Sequence, residues 1–434
     1  MKKGKVFGLI SALVLAAFLI SCGGGGGGGD ASDTPVADGP WLCFTAGSPY
    51  STVSAHISNR KGTVSSPMPV LEYSTDGVNW KSFVVDDSIV YLNKTGDRVY
   101  VRAKSTNEAF SYYDSSVYPA VYRVISFRLG GNIAGSGNVM SLLDSDCRSK
   151  TIPCDGCFEY LFYWCENLTT APELPATTLT ERCYHRMFDG CTSLTTAPEL
   201  PAEVMKYMCY SSMFERCASL KTTPKLPATV MANMCYYEMF NGCTFLATTA
   251  SKLPATTLNK RCYSGMFRNC TSLVTAPELP AATLADECYE GMFAGCASLT
   301  TAPELPATTL AKNCYENMFT GCASLTTAPE LPAITLAERS YWSMFYDCKS
   351  LTTAPELPAI TLGQSCYGHM FHGCSSLTYI KVHFNDWMNS AIEWMEGVPS
   401  GGEFHCRAGF PTSGSGVYFP EGWTAINDVP EPTP

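Results

Sequence analysis

The chain has 434 residues, a formal net charge of −10, 16% charged residues and 46% hydrophobic residues. This length and composition allow one large core or two to three domains. The acidic balance argues against nucleic-acid binding, because phosphate contacts require clustered Lys and Arg. No such cluster lies outside the first few residues.

Residues 1–21 are predicted to be a signal peptide. Three lysines precede an apolar run at residues 6–20, which is too short to span a bilayer comfortably. The run ends in LISC, which resembles a bacterial lipobox and implies cleavage before Cys22 and acylation of that residue. Gly23 rather than Asp follows, which in Gram-negative lipoproteins favours sorting to the outer membrane. The alternative is an ordinary signal peptide with an incidental cysteine.

Residues 22–39 are predicted to be a flexible tether. Glycines at positions 23–29 are followed by DASDTPVADGP. A coil over residues 23–39 spans roughly 20–25 Å root-mean-square, at about 5–6 Å times the square root of its length. No other segment is long and apolar enough to cross a membrane.

Residues 40–125 have a β pattern. VLEYSTDGVNWKSF reads as two strands joined near Asp76 and Gly77, a strong hairpin signal. DRVYVRAK reads as another strand, with Val99 and Val101 on one face. We predict a small β-sandwich of the immunoglobulin-like sort over residues 40–125. Residues 126–152 are predicted to cap the repeats that follow.

Residues 153–378 hold nine copies of one phrase. Its final cysteine recurs every 26 residues, with a single spacing of 27, at Cys165, Cys191, Cys217, Cys243, Cys270, Cys296, Cys322, Cys348 and Cys374. A fixed period in the twenties is typical of solenoids, and of leucine-rich repeats in particular. Residues 379–426 are predicted to form a C-terminal cap and residues 427–434 a tail, because terminal repeats otherwise expose apolar surface and strand edges.

Each unit is predicted to hold one helix and one short strand. In one unit, apolar residues lie at offsets 0, 4, 5, 8 and 9, a helical stripe, at Leu310, Cys314, Tyr315, Met318 and Phe319. Gly321 lies where a left-handed residue ends a helix. LTTAPELP is predicted to supply a parallel strand. The strand is expected to be short, because its prolines lack the N–H groups that a ladder needs. The predicted fold class is an α/β solenoid, a leucine-rich repeat array with parallel short strands plus one helix per 26-residue unit, preceded by a small all-β sandwich-like domain.

The chain contains 22 cysteines. In an exported protein that number favours a disulfide framework. Geometry opposes it, because Cys183 and Cys191 lie about 12 Å apart along the predicted helix, whereas a disulfide needs Cα atoms within about 7 Å. Ser340 also replaces a cysteine in a unit that keeps Cys348. We predict that most repeat cysteines are small buried core residues.

Two groups of residues have metal-like spacing. Cys154 and Cys157 are spaced for a local disulfide or half a metal site, but no second such pair accompanies them. His369 and His372 lie at i, i+3 spacing. The position of His372 is Asp189 or Glu215 in other units, so we interpret it as variable and solvated. No metal is predicted.

A tyrosine follows the first cysteine position in eight of the nine units, at Tyr184, Tyr210, Tyr236, Tyr263, Tyr289, Tyr315, Tyr341 and Tyr367. It shares a predicted face with Met187 and Phe188. We therefore predict core packing rather than an aromatic binding stripe.

A column of charges is the main candidate binding feature. One position of APELP reads Glu173, Glu199, Lys225, Lys252, Glu278, Glu304, Glu330 and Glu356. Stacked one rung apart, like charges repel by about 1 kcal/mol in water-like dielectric. One interpretation is a solvated face copied by repeat duplication. The other is that the run from Glu278 to Glu356 faces a cationic ligand or Ca²⁺. Together with Lys221, these residues are the predicted ligand-binding set.

The sequence contains no nucleophile elbow, P-loop, dinucleotide fingerprint or zinc-protease helix. Acids and prolines recur with the repeat period instead. We therefore predict no enzyme activity, no catalytic residue and no cofactor.

The repeats resemble those of BspA-like leucine-rich repeat surface proteins of bacteria, whose units end in AFxxC or MFxxC followed by SL. The resemblance covers residues 126 to about 425. This chain departs in its 26-residue unit and in APELP, which replaces an aliphatic strand. The resemblance implies a cell-surface protein that binds host or neighbouring-cell ligands, often extracellular-matrix proteins, and so mediates adhesion or protein recognition. Together with the lipobox-like motif and Gly23, it predicts a lipid-anchored protein of the outer membrane or cell surface.

Two other functions stay open. The chain could be a structural or antigenic spacer without a specific ligand, in which outward residues vary randomly. A binder instead concentrates its variation in one patch, as Lys221, Lys225 and Lys252 indicate. Glycan binding by the β-domain requires exposed aromatics such as Trp80 to form a platform.

Overall fold

A computed structural model describes residues 39–385, 387, 391–413 and 419–430 of the chain. Among those residues, no helix is long and apolar enough to cross a membrane. The predicted signal peptide, the lipidated Cys22 and most of the tether lie outside the described residues. The regular elements are one 3₁₀ helix, Val139–Leu142, and strands β1 Leu42–Ala46, β2 Ser51–Lys61, β3 Leu71–Ser74, β4 Lys81–Phe83, β5 Ile89–Leu92, β6 Arg98–Ala103, β7 Tyr112–Asp114, β8 Val121–Gly130, β9 Ile133–Ser136, β10 Leu168–Thr170, β11 Tyr379–Lys381, β12 Glu403–Cys406 and β13 Thr424–Asn427.

Strands β1 to β10 form two sheets. One has the order β10-β9-β1-β6-β3-β4 and the other β5-β2-β8-β7. Neighbouring strands are antiparallel, except that β9 and β10 run parallel. Phe44 of β1 meets Phe127 of β8 with ring centroids 5.1 Å apart, and both are buried. The two sheets therefore share one aromatic core.

The predicted hairpin at Asp76 and Gly77 is confirmed, because β3 and β4 pair antiparallel across that turn. Asp76 stabilises the turn by accepting hydrogen bonds from the backbone N–H groups of Val78 (2.8 Å) and Asn79 (2.7 Å). The predicted strand around Val99 and Val101 is also confirmed as β6, where both valines are fully buried.

The repeats continue directly from these sheets. The N–H of Phe127 in β8 donates to the carbonyl of Leu161 in the first repeat at 2.8 Å. Strand β10, which belongs to the first repeat, extends the larger sheet beside β9. The first repeat is therefore hydrogen-bonded to both sheets.

The predicted helix in each repeat is wrong, and with it the α/β solenoid. No α-helix occurs anywhere in the described residues. The stretch from Cys183 to Cys191 is a run of tight turns, here called a turn segment, and each repeat, here called a rung, has an equivalent one. Within the segment, the N–H of Met187 donates to the carbonyl of Tyr184 at 3.2 Å. The N–H of Tyr184 donates to the next rung, to Cys209, at 3.0 Å.

The turn period explains why the segment resembles a helix in sequence. Arg182, Arg186 and Gly190 have φ angles of 55°, 53° and 78°, so a left-handed residue recurs every four positions. Positive φ at the third residue of a turn is the feature of type II turns. Pairs of buried residues then also recur every four positions, close to the helical 3.6. Hydrogen bonds between rungs, which only stacking provides, favour the turns over a helix.

The predicted parallel strand is reduced to almost nothing. Among the described rungs, only β10 is a strand in the LTTAPELP half. Elsewhere neighbouring rungs meet through isolated parallel bridges, such as Thr275 with Thr301 and Thr301 with Thr327. Proline removes backbone donors on both sides of each glutamate, which prevents a longer ladder.

The core consists of side-chain columns that run along the stack. Tyr184 and Tyr210 stack with ring centroids 5.7 Å apart and planes 2° apart, and every tyrosine of the predicted ladder is buried. The prediction that tyrosines pack in the core is confirmed. The repeat cysteines are buried as predicted, and Cys217 Sγ donates to the carbonyl of Phe188 at 3.1 Å. All cysteines in the described part of the chain are free thiols.

Three parallel strands, β11-β12-β13, extend the stack at its far end, where β11 continues the last repeats through parallel bridges such as Thr353 with Tyr379. The aromatic residues of this end continue the core, because Phe371 of the last repeat meets Trp394 at 6.0 Å and Trp394 meets Phe404 of β12 at 6.2 Å between ring centroids. Trp394 is fully buried.

Candidate functional site

The predicted ligand-binding residues lie on one exposed surface. The leucine that follows each charged position is buried, as Leu200 and Leu226 show. The charged side chain before it is exposed to solvent. We call this surface the Glu face. It is defined by Glu173, Glu199, Lys225, Lys252, Glu278, Glu304, Glu330 and Glu356, all of which are exposed.

Shallow grooves separate neighbouring rungs of the Glu face. A groove of about 390 Å³ lies between Glu278 and Glu304, and one of about 360 Å³ lies between Glu330 and Glu356. Both are lined by the prolines of the two rungs. The stack therefore brings neighbouring carboxylates to the rims of shallow, proline-lined grooves.

The run of carboxylates from Glu278 to Glu356 is partly neutralised at its ends. Lys252 Nζ lies 3.8 Å from Glu278 Oε2, and Lys381 Nζ lies 2.9 Å from Glu356 Oε1. Hydrogen bonds from Lys381, and secondly from His383, lower the pKa of Glu356. Within the described residues, Glu304 and Glu330 form no ion pair.

The Ca²⁺ form of the cationic-ligand hypothesis finds no coordination site. Ca²⁺ needs six to eight oxygen ligands, and each rung supplies at most one carboxylate to the charged column of the Glu face. No group of three or more His, Cys, Asp or Glu residues placed to hold a metal ion occurs in the described part of the chain. Binding of a cationic macromolecule to this run stays a prediction.

Three successive rungs interrupt the uniform Glu face. Lys221 and Val274 occupy a position that is threonine in most other rungs, and Phe245 occupies one that is serine in most others. Phe245 is 65% exposed and Val274 is 45% exposed. With the two lysines of the charged column they form the central patch, defined as Lys221, Lys225, Phe245, Lys252 and Val274.

Backbone contacts place the central patch on neighbouring rungs. The N–H of Ala247 donates to the carbonyl of Lys221 at 3.2 Å, and Lys252 pairs with Glu278 through an isolated bridge. The sequence analysis identified the three lysines but missed Phe245 and Val274. Comparing all outward columns rung by rung, rather than the charged column alone, reveals both.

The turn segments carry a second group of charged residues, which form ion pairs within and between rungs. The prediction that the Asp189 position is solvated is wrong, since Asp189 is fully buried and Glu215 is 5% exposed. Asp189 lies between Arg186 (2.6 Å) and Arg216 (2.8 Å) of neighbouring rungs. Burial, and secondly the charge of Glu215, raise the pKa of Asp189 to about 6. These charges hold rungs together and are not free for a ligand.

The two histidines with metal-like spacing and Trp80 all lie against other side chains. His369 stacks edge-on against Trp342 at 4.8 Å, and the ring of His372 lies 4.6 Å from that of Tyr346. The guanidinium of Arg102 covers Trp80 at 3.6 Å from the ring centroid. Arg102 therefore occupies a ring face that a glycan platform would need.

The similarity of this chain to known proteins lies in its repeats. A family model described as BspA type leucine rich repeat region, in six copies, matches residues 157–281 and 264–391, more than half of the chain. No curated protein matches the chain. The crystal structure of a leucine-rich repeat protein from Bacteroides ovatus ATCC 8483 is similar at 18% sequence identity, covering 58% of this chain and 78% of that one, with a TM-score of 0.23.

Proposed function

Because the chain belongs to the BspA-type leucine-rich repeat family, we propose that it binds a protein partner through the Glu face. Proteins with such repeats generally act by binding, and a stack of rungs offers a long surface on which many small contacts add up. The central patch carries the proposal. Its five residues lie on three successive rungs and replace the threonine, serine or glutamate found at the same positions elsewhere.

The chemistry of the central patch favours an acidic partner. Three lysines lie within a chain of net charge −10, so the patch is a local exception to the acidic surface. Oppositely charged partners are steered towards such a patch. Phe245, exposed on the middle rung of the patch, has the character of an aromatic anchor that fills a pocket of the partner. Glu199 and Glu278 border the patch and disfavour a partner whose acidic region extends beyond it.

We further propose that the chain is attached to the outer surface of a bacterium through a lipid on Cys22, and that its partner is a protein of a host or a neighbouring cell. The lipobox-like LISC motif and the glycine-rich stretch after it support the anchor. The family supports a surface role. Under this proposal the chain is an adhesin.

A binding assay with matched variants tests the central patch. The purified full chain is immobilised and probed with a panel of extracellular-matrix proteins and glycans. We expect Lys221→Glu/Lys225→Glu/Lys252→Glu, and separately Phe245→Ser, to lose roughly tenfold or more in affinity for the captured protein, which corresponds to about 1.4 kcal/mol.

The control is Lys150→Glu/Lys206→Glu/Lys349→Glu, which makes the same charge change at exposed lysines outside the patch. It should bind like the unmodified chain. If both triple variants lose the same affinity, net charge explains the loss and the central patch is not the binding surface. A chain that binds no protein in the panel, with all variants alike, would favour the spacer instead.

A further inference from the structure

The turn segments form columns of hydrogen bonds along the whole stack. The N–H of Phe188 donates to Met213 in the next rung, and the N–H of Phe214 donates to Met239 in the rung after it, each at 2.9 Å. The same bond recurs at every rung, and the last one joins Phe371 to Trp394 at 2.7 Å. Two neighbouring columns also donate from each rung to the next. They start from positions such as Arg186, which donates to Ser211, and Gly190, which donates to Glu215.

All peptide groups in a column point the same way. The peptide group between Met213 and Phe214 accepts from the previous rung through its carbonyl and donates to the next through its N–H. In an ordinary β-sheet the strand dipoles alternate and nearly cancel. In these columns the peptide dipoles add, as they do in an α-helix. The end of the column at which N–H groups point outward therefore carries partial positive charge.

The carbonyl end of the columns is covered by the sheets of the N-terminal region. Ser111 donates to the carbonyl of Cys157, and Phe127 donates to the carbonyl of Leu161, both at 2.8 Å. These carbonyls belong to the first rung. The carbonyl of Leu161, which begins the phenylalanine column, is therefore not available to a second copy of the chain.

In the part of the chain that the structure describes, nothing accepts from the N–H end of the columns. The final rung accepts from His369, Phe371 and Gly373 through the carbonyls of Ile392, Trp394 and Glu396. By the same register, the next outward donors are the N–H groups of Glu393, Met395 and Gly397. These three groups have no hydrogen-bond acceptor within the described residues.

A cavity of about 780 Å³ lies against this end, and we call it the terminal cavity. Its walls include residues 393–398 and residues 419–422. Three exposed carboxylates border it, those of Glu393, Glu396 and Glu421. His369 Nδ1 lies 3.6 Å from Glu393 and His372 Nδ1 lies 3.7 Å from Glu396, while Glu421 forms no ion pair in the part of the chain described.

We propose that the terminal cavity binds an extended basic segment of a partner protein, whose backbone carbonyls accept hydrogen bonds from these three N–H groups. The three donors lie two residues apart, and carbonyls on one side of an extended chain recur at that spacing. Chain addition to an exposed backbone edge is a common mode of peptide recognition. A free anion would satisfy the donors but is repelled by three carboxylates, whereas lysine or arginine side chains of a peptide are attracted to them.

Hydrogen exchange on the full chain tests the first half of the proposal. In the free protein, the amides of Glu393, Met395 and Gly397 should exchange at least roughly tenfold faster than those of His369, Phe371 and Gly373, which are bonded to the next rung. Saturation with an acetylated, amidated five-residue peptide of alternating lysine and valine should slow the three amides to the rate of the controls. Equal exchange in the free protein would overturn the proposal.

Calorimetric titration with the same peptide tests the charge requirement. Glu393→Gln/Glu396→Gln/Glu421→Gln should weaken binding by roughly tenfold, because charge complementarity is lost. The control Glu108→Gln/Glu166→Gln/Glu203→Gln makes an equal charge change at exposed glutamates outside the terminal cavity and the Glu face, and should leave binding unchanged. A matched peptide with glutamate in place of lysine should not bind, and binding of both peptides alike would contradict the proposal.

This inference is independent of the proposed function, since its variants leave the central patch intact. Loss of partner binding in the lysine variants, with normal peptide binding at the terminal cavity, would separate the two surfaces.

Discussion

The rings of Phe214 and Phe240 stack with centroids 5.5 Å apart and planes 3° apart, although the two residues belong to different rungs. Both are fully buried. We predict that Phe240→Ala lowers the free energy of unfolding by about 3–5 kcal/mol, because it removes a large apolar side chain and leaves a cavity in the column.

The control is Phe245→Ala, five positions further on, where the ring is 65% exposed. Substitution there should change stability by less than about 0.5 kcal/mol. Urea unfolding followed by circular dichroism measures both. Similar midpoints for the two variants would contradict the observed core.

The buried Asp189 predicts a pH dependence of stability. Its pKa is raised in the folded chain from 3.8 to about 6, chiefly by burial. As pH rises from 3.8 to 6, the unfolded chain loses this proton first, so the folded state loses up to about 3 kcal/mol of stability relative to low pH. Below pH 3.8 the contribution is fully present, and above pH 6 its loss is complete.

Asp189→Asn removes this titration. Thermal unfolding between pH 4 and pH 7 should show that the difference between the unmodified chain and the variant changes mainly below pH 6. Glu199→Gln, on the exposed Glu face, is the matched control and should show no such change. A constant difference for Asp189→Asn across the range would refute the buried carboxylate.

The carboxylate run on the Glu face predicts opposite effects for two charge reversals. Glu304→Lys breaks the run and places opposite charges on successive rungs, so stability should rise by roughly 0.2–1 kcal/mol at low salt. Lys252→Glu lengthens the run and removes the contact with Glu278, so stability should fall by a similar amount.

Salt provides the control for this pair of variants. Raising the ionic strength to 1 M shortens the screening length to about 3 Å, and both effects should then shrink towards zero. Denaturation midpoints at low and high salt measure the change. Effects that are equal at both salt concentrations would show that packing, not charge, is responsible.

Asp347 predicts a stabilising substitution. Its φ of 56° is left-handed, and the equivalent residue of the previous rung, Gly321, has a φ of 72°. A residue with a Cβ pays roughly 1–2 kcal/mol in that conformation. Asp347→Gly should therefore raise the melting temperature, and Gly321→Asp should lower it. Differential scanning calorimetry compares the two, and a fall in both would contradict the turn geometry.

The predicted lipid anchor, Cys22, lies outside the described residues and can be tested in cells. Cells that express the full chain and are fed an alkyne-labelled fatty acid should label it, and Cys22→Ser should abolish the label and release the chain from the membrane fraction, because stable anchoring needs more than one acyl chain. Cys147→Ser is the control and should keep both. Retained label in the Cys22 variant would refute lipidation at that residue.

The sequence by itself determined the repeat period, the family and the identity of the core. The spacing of Cys191, Cys217 and the later repeat cysteines shows where each rung begins and ends, and the apolar columns of Tyr184 and Phe188 are buried as their pattern indicates. These features follow from side-chain chemistry that every rung repeats. The exposed Glu face was also readable, because charged residues stay in water unless they are paired.

Only the tertiary structure decided the backbone of each rung and the surroundings of its polar residues. Apolar pairs every four residues fit both a helix and a run of turns, and the choice depends on hydrogen bonds such as that from Tyr184 to Cys209, 25 residues further along the chain. A sequence read one unit at a time does not contain those partners. For the same reason it missed the burial of Asp189, which depends on Arg216 of the next rung, and the N–H groups at the terminal cavity that have no acceptor within the described residues.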